Sequence, residues 1–94
     1  MKRMESIKLL NIGFNNAVSE GRIVAIVSAD ASPIKRLKEE ALRAGRLVDG
    51  TNGRRTRSVI VTDSNHVVLS SIEPETLSAR FKRDDVGSKD RERD

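Results

Sequence analysis

The longest apolar run in the chain is Ile23-Val24-Ala25-Ile26-Val27, entered from Arg22. It is rich in β-branched residues and almost continuous, the pattern of a strand covered on both faces. Val59-Ile60-Val61, inside Ser58–Thr62, has the same character, and His66–Ile72 follows it across Asp63-Ser64-Asn65. The polar residues between the two runs predict a turn and so a hairpin. Ile7–Ile12 has apolar residues at 7, 9, 10 and 12, an imperfect alternation that still predicts a strand. Residues 17–21 read as loop, and Leu47-Val48 marks a short strand within 46–51.

Two segments change period. Ile34, Leu37, Ala41 and Ala44 form a stripe at helical spacing, with Leu42 beside it. Ser32-Pro33 suits an N-cap followed by N1, and Gly45 suits a left-handed residue after the last turn. A helix over 33–44 follows, laced by the i,i+4 pairs Lys35/Glu39, Arg36/Glu40 and Glu39/Arg43. Glu73-Pro74-Glu75 starts a second helix with Leu77 and Phe81 on one side. Beyond Lys82 the pattern stops, and residues 83–94 read as a disordered charged tail after a single domain over 1–82. The expected fold class is α+β: a small, largely antiparallel sheet, one amphipathic helix and a short C-terminal helix. One 12-residue helix hardly covers both faces of a sheet whose strands look buried on both, so the surplus apolar surface points to self-association.

Composition narrows the function. The 94 residues include no Cys, Trp or Tyr and two Phe. That excludes a disulfide scaffold, a cysteine metal site and a thiol nucleophile. No stretch has the ~18 apolar residues of a membrane span, and no secretory h-region follows the first residues. The expectation is a basic protein of the cytoplasm. The net charge of +4 is unevenly spread: residues 1–83 carry 15 Lys and Arg against 9 acids, and residues 84–94 carry 3 against 5. A basic body attracts nucleic acid or anionic surfaces, and equally serves solubility.

Catalytic constellations are poor. His66 is the one histidine, with Ser64, Ser70 and Ser71 near it in sequence. Glu39 and Glu40 point about 100° apart on a helix and form no pair. Gly50-Thr51-Asn52-Gly53 lacks the residues and context of a phosphate loop. No enzyme, cofactor, metal, membrane or small-molecule partner is expected. The outstanding feature is Gly53-Arg54-Arg55-Thr56-Arg57, three arginines in four residues after an Asn-Gly turn signal. Planar guanidinium groups donate paired hydrogen bonds to phosphate or to a guanine edge. The competing explanation is a solvated hairpin tip that guards a strand edge. One tip binds duplex DNA loosely, each phosphate adding about 0.9 to the salt slope, and repetition in a homo-oligomer multiplies it. Without Trp or Tyr, stacking on single strands is disfavoured, so recognition of a duplex backbone, double-stranded DNA first, is favoured over single-stranded RNA or DNA. Double-stranded RNA and an acidic protein partner, bound by a non-catalytic adaptor, stand as alternatives.

Asn11-Ile12-Gly13-Phe14, Arg22, Ile26-Val27-Ser28, Pro33-Ile34-Lys35-Arg36, Gly53-Arg54-Arg55-Thr56-Arg57, Asp63–Ser70 and Pro74-Glu75-Thr76 occur in an order and spacing that resembles the RemA family of bacterial extracellular-matrix regulators. The resemblance covers about residues 7–81. It implies a LytTR-like fold, assembly into a homo-oligomeric ring, and activation of matrix (biofilm) genes by binding DNA at the nucleoid. It also implies that Arg22, Arg54 and Arg55 contact DNA, and the spacing of the cluster adds Arg57. Two departures stand out. Gly50-Thr51-Asn52 replaces the usual Ala-Thr-Tyr, and Asn15 stands where Gly is common.

Overall fold

A computed structural model describes residues 8–87. The chain forms β1 (Leu9–Gly13), β2 (Asn16–Ser19), a 3-10 turn (Glu20–Arg22), β3 (Ile23–Ser28), α1 (Ser32–Arg43), β4 (Leu47–Asp49), β5 (Ser58–Thr62), β6 (Val67–Ser70) and α2 (Pro74–Gly87). The fold class is α+β, as expected, but the sheet is mixed and β1 and β2 make a separate antiparallel pair. The four-stranded sheet has the order β3-β5-β6-β4. β5 pairs antiparallel with both β3 and β6, while β4 runs parallel to β6. Helix α1 therefore carries the chain from one edge strand to the other.

Period-2 alternation sorts the core into two layers. Val59, Val67 and Leu69 point to the α1 side and pack with Ala29, Ala41, Val27, Ile34, Leu37 and Leu47. Ile60 and Val68 point the other way, against Leu10, Ile12, Leu77, Val18, Ile23, Ile26, Ile72 and Phe81. The second face is thus closed within one chain, by the β1–β2 hairpin and α2. This removes the argument that uncovered sheet surface demands a partner. Fully burying a side chain such as Ile60 or Leu77 stabilises by about 1.5–3 kcal/mol, and both are 0% exposed.

Several local expectations are corrected. β3 is an edge strand with Val24 67% exposed, so its continuous apolar run does not signify burial on both faces. The imperfect alternation of the first strand resolves into Leu10 and Ile12 inward and Leu9 outward. Residues 17–19 of the expected loop 17–21 belong to strand β2, because its pairing with β1 supplies what its half-polar sequence does not. Helix α1 begins at Ser32 with Ala31 as N-cap, so the Ser32 hydroxyl makes no cap bond. Its other end is as expected. Gly45 has φ +73, its N–H donates to Leu42, and Arg46 N–H donates to Ala41 at 2.8 Å, closing a Schellman motif. None of the three ion pairs expected along α1 is among the salt bridges of the described residues, in keeping with the small gain of exposed pairs. Helix α2 runs on through 83–87, five residues into the segment assigned to the tail, and the rest of that segment lies outside the described residues.

Candidate nucleic-acid interface

The arginine cluster sits on a turn that the chain anchors from both sides. Residues Thr51-Asn52-Gly53-Arg54 close through Arg54 N–H to Thr51 carbonyl at 3.0 Å. Asn52 and Gly53 have φ of 54° and 81°, the left-handed pair of a type I′ turn. Just upstream, the Asp49 carboxylate accepts from Thr51 N–H at 2.9 Å and from the Thr51 hydroxyl at 2.6 Å. These two bonds hold the Asp49 carboxyl below its ordinary value, against a small opposing effect of burial. Thr51 is 2% exposed, so the bond also satisfies its buried hydroxyl.

Downstream, Arg57 N–H donates to Ser70 carbonyl at 2.9 Å and its own carbonyl accepts from Ala29 N–H at 3.1 Å. Gly50 N–H donates to Leu69 carbonyl at 2.9 Å, and a Cβ at Gly50 would stand 2.9 Å from that same oxygen. The backbone of the turn is therefore pinned to β6 at both ends, with Arg54, Arg55 and Thr56 projecting between. β5 begins only at Ser58, so Arg54, Arg55 and Thr56 lie outside the strand. The two departures from the family pattern fit this geometry. Asn52 and Asn15 both lie at positive φ, which Asn tolerates through its short polar side chain.

The four arginines are not one cluster. Arg54, Arg55 and Arg57 line a shallow cleft of about 290 Å³ with Ser71. Arg22 lies at the other end of β5, where Ile23 pairs with Thr62, whereas Ser28 pairs with Ser58 beside Arg57. Five residues of strand separate the ends, about 17 Å. Each site has a different neighbour. Arg22 Nε donates to Asp63 Oδ1 at 2.9 Å. Arg57 Nη1 donates to Glu73 Oε2 at 2.6 Å. Arg55 is only loosely opposed, 3.9 Å from Asp30, with its side chain 71% exposed. The Arg54 guanidinium lies over the Phe14 ring, 5.5 Å from its centroid.

Sequence reading missed Asp49, Thr51 and Phe14 as parts of this site. Asp-x-Thr before a turn is a legible signal of a side-chain-to-backbone bond. Phe14 carried no such signal, because its contact with Arg54 spans 40 residues. The Ser–His pairing does form: Ser64 Oγ and His66 Nδ1 are 2.7 Å apart. Its next neighbour is the Thr62 hydroxyl at 3.0 Å, and Asp63 is turned to Arg22. These bonds close the β5–β6 turn. Ser70 is 0% exposed and donates to Ile12 carbonyl at 2.9 Å, a structural role.

A family model described as RemA-like, extracellular matrix regulatory protein A-like, matches residues 9–81. The chain belongs to the RemA-like family. Its relatives include proteins named "Putative regulatory protein" in several bacteria. One from Rippkaea orientalis is 62% identical over 78 residues, covering 83% of this chain and 88% of its own. One from Nitratidesulfovibrio vulgaris is 52% identical over 85 residues, covering 90% and 97%. Another from Alkaliphilus metalliredigens is 57% identical over 81 residues, covering 86% and 87%. The matched span runs from β1 into α2 and includes the anchored turn and all four arginines. Among the described residues, no helix is long and apolar enough to cross a membrane.

Proposed function

We propose that this RemA-like chain is a non-enzymatic, cytoplasmic, nucleoid-associated regulator that binds duplex DNA and activates extracellular-matrix genes. The observation that carries this reading is the Arg54–Arg57 turn, exposed at its tip and held rigid at its base by Asp49, Ser70 and Ala29. A fixed base lets arginines meet phosphates without first ordering a loop. Arg54 and Arg55 supply the main contacts. Arg57 adds the donors not engaged by Glu73, since a guanidinium has five. Arg22 contributes from the far end of the sheet.

Four arginines on one chain bind DNA loosely, and the reading includes a LytTR-like monomer repeated in a homo-oligomeric ring. The sheet edges support that assembly: among the described residues β3 and β4 have no strand on their outer sides, and they expose Val24 at 67% and Val48 at 47%. Repetition would set Arg22 of each protomer and the Arg54–Arg57 turns along one track, and effective concentration multiplies their affinity.

The test is fluorescence anisotropy on promoter-length duplex DNA across a salt series, with wild type and Arg55→Ala. The variant is expected to bind at least tenfold more weakly, with a shallower salt dependence. Unchanged affinity and slope overturn the assignment, as does equal preference for duplex RNA or binding to acidic proteins alone. A monomer by light scattering at micromolar concentration overturns the ring.

A further inference from the structure

We infer that Phe14 belongs to the DNA-binding surface, its ring serving as the platform that holds the Arg54 guanidinium ready for a phosphate. This inference rests on the DNA-binding reading above.

The backbone under Phe14 is the first observation. Phe14 and Asn15 form the apex of the β1–β2 hairpin with φ of 54° and 65°. A two-residue apex with both residues left-handed favours Asn or Gly at its first position, and a bulky residue there is strained. Nothing in the turn itself selects phenylalanine. Nor does the core, since Phe14 stands outside both hydrophobic clusters and is 43% exposed. A strained, half-exposed aromatic is most simply retained for what its ring touches.

What it touches is Arg54, and the mode of contact is the second observation. Arg22, Arg55 and Arg57 each face a carboxylate, which cancels charge and, at close range, occupies N–H donors. Among the described residues, Arg54 has no such partner; its guanidinium carbon lies over the Phe14 ring, 5.5 Å from the centroid. A contact with a ring face supplies no acceptor, so it takes up no N–H donor for an anion and leaves the charge available. Of the four arginines, Arg54 is the one held in place without being neutralised.

The two turns are also registered to each other. Asn16 Nδ2 donates to Gly50 carbonyl at 3.4 Å, and Ile12 Cδ1 packs where a Cβ of Gly50 would be, at 3.1 Å. Ser70 Oγ ties the Ile12 carbonyl to β6 at 2.9 Å. The hairpin apex and the arginine turn are thus joined, and Phe14 acts as a positioning residue on the turn opposite.

The experiment measures duplex-DNA binding by the full chain at fixed salt for wild type, F14N, F14W, R54A, F14N/R54A and R55A, with a melting curve for each. F14N relieves the turn and removes the ring. It is expected to bind about threefold more weakly with an unchanged or raised Tm, while F14W stays within about twofold of wild type. F14N should add nothing in the R54A background, because both remove the same contact. Should F14N lower the Tm, F14L carries the test; it keeps bulk without a π face and is expected to lose affinity equally. Wild-type affinity in F14N or F14L, or losses that multiply in F14N/R54A, overturn the inference. If R55A binds less well while F14N is silent, only the role of the ring falls. If R55A is silent too, the DNA reading falls and takes this inference with it.

Discussion

The two ends of β5 carry the same kind of side chain in opposite settings. At the Thr62 end, Arg22 is joined to Asp63 twice: its Nε donates to the carboxylate, and its carbonyl accepts from Asp63 N–H at 2.8 Å. That arginine finishes a strand crossing. At the Ser58 end, three arginines leave a turn whose backbone is pinned, and their guanidinium groups lie over a ring, are loosely opposed or are singly paired. One end spends its charge on an exposed ion pair within the chain and the other leaves more of it open to a partner. The lesson is that an arginine count is a poor guide to a binding surface; the partners already in place decide how much charge remains.

The largest test of this difference compares Arg54→Ala with Arg22→Ala in the same DNA titration. A charge-assisted hydrogen bond to phosphate is worth about 1.5–3 kcal/mol, so the Arg54 variant should lose roughly tenfold or more. Arg22 must first exchange Asp63 for phosphate, so its loss should be several-fold smaller. Equal losses would erase the contrast between the ends.

A middle-sized effect is expected at the base of the turn. Asp49→Ala removes two bonds to Thr51 and leaves a buried hydroxyl without its acceptor, so urea unfolding should show a loss of about 1–2 kcal/mol together with weaker DNA binding. The pH dependence has a definite sign. The Asp49 carboxyl lies below the ordinary 3.8 in the folded chain, so its contribution is whole above that value. It is lost as pH falls through the lowered native value. The gap between wild type and Asp49→Ala should therefore close in acid. A gap independent of pH would mean that the carboxylate does not hold the turn.

The smallest effect sharpens the comparison from the acidic side. Glu73→Gln should free Arg57 and tighten DNA binding by about two- to threefold, at a stability cost below ~1 kcal/mol for an exposed pair. Asp63→Asn should free Arg22 and tighten binding less, because the backbone bond at Asp63 stays. Loss of affinity on Glu73→Gln would show that the ion pair positions Arg57 rather than restraining it.

Much of this molecule was legible before folding. The stripe on α1, the Gly45 stop, the hairpin of β5 and β6, and the Asn52-Gly53 turn all rest on interactions within a few residues. The arginine motif was equally plain, being contiguous. β2 was not legible, since two apolar residues in Asn16–Ser19 say little until β1 lies beside them. Nor was the length of α2, whose later residues show no apolar stripe. The exposure of Val24 was misread because an edge position depends on strand order, which no local run of residues encodes.

By itself the sequence determined most of the segments that twist into helix or extend into strand, β2 and the end of α2 apart, and that three arginines follow one turn. Those outcomes follow from side-chain period, backbone freedom and short-range hydrogen bonds. Only the tertiary structure decided that the second face of the sheet is closed by the β1–β2 hairpin and α2, that Arg22 stands far from the other three, and that Phe14 lies under Arg54. Each of these depends on which distant strands become neighbours, and that is settled by burying two apolar faces at once.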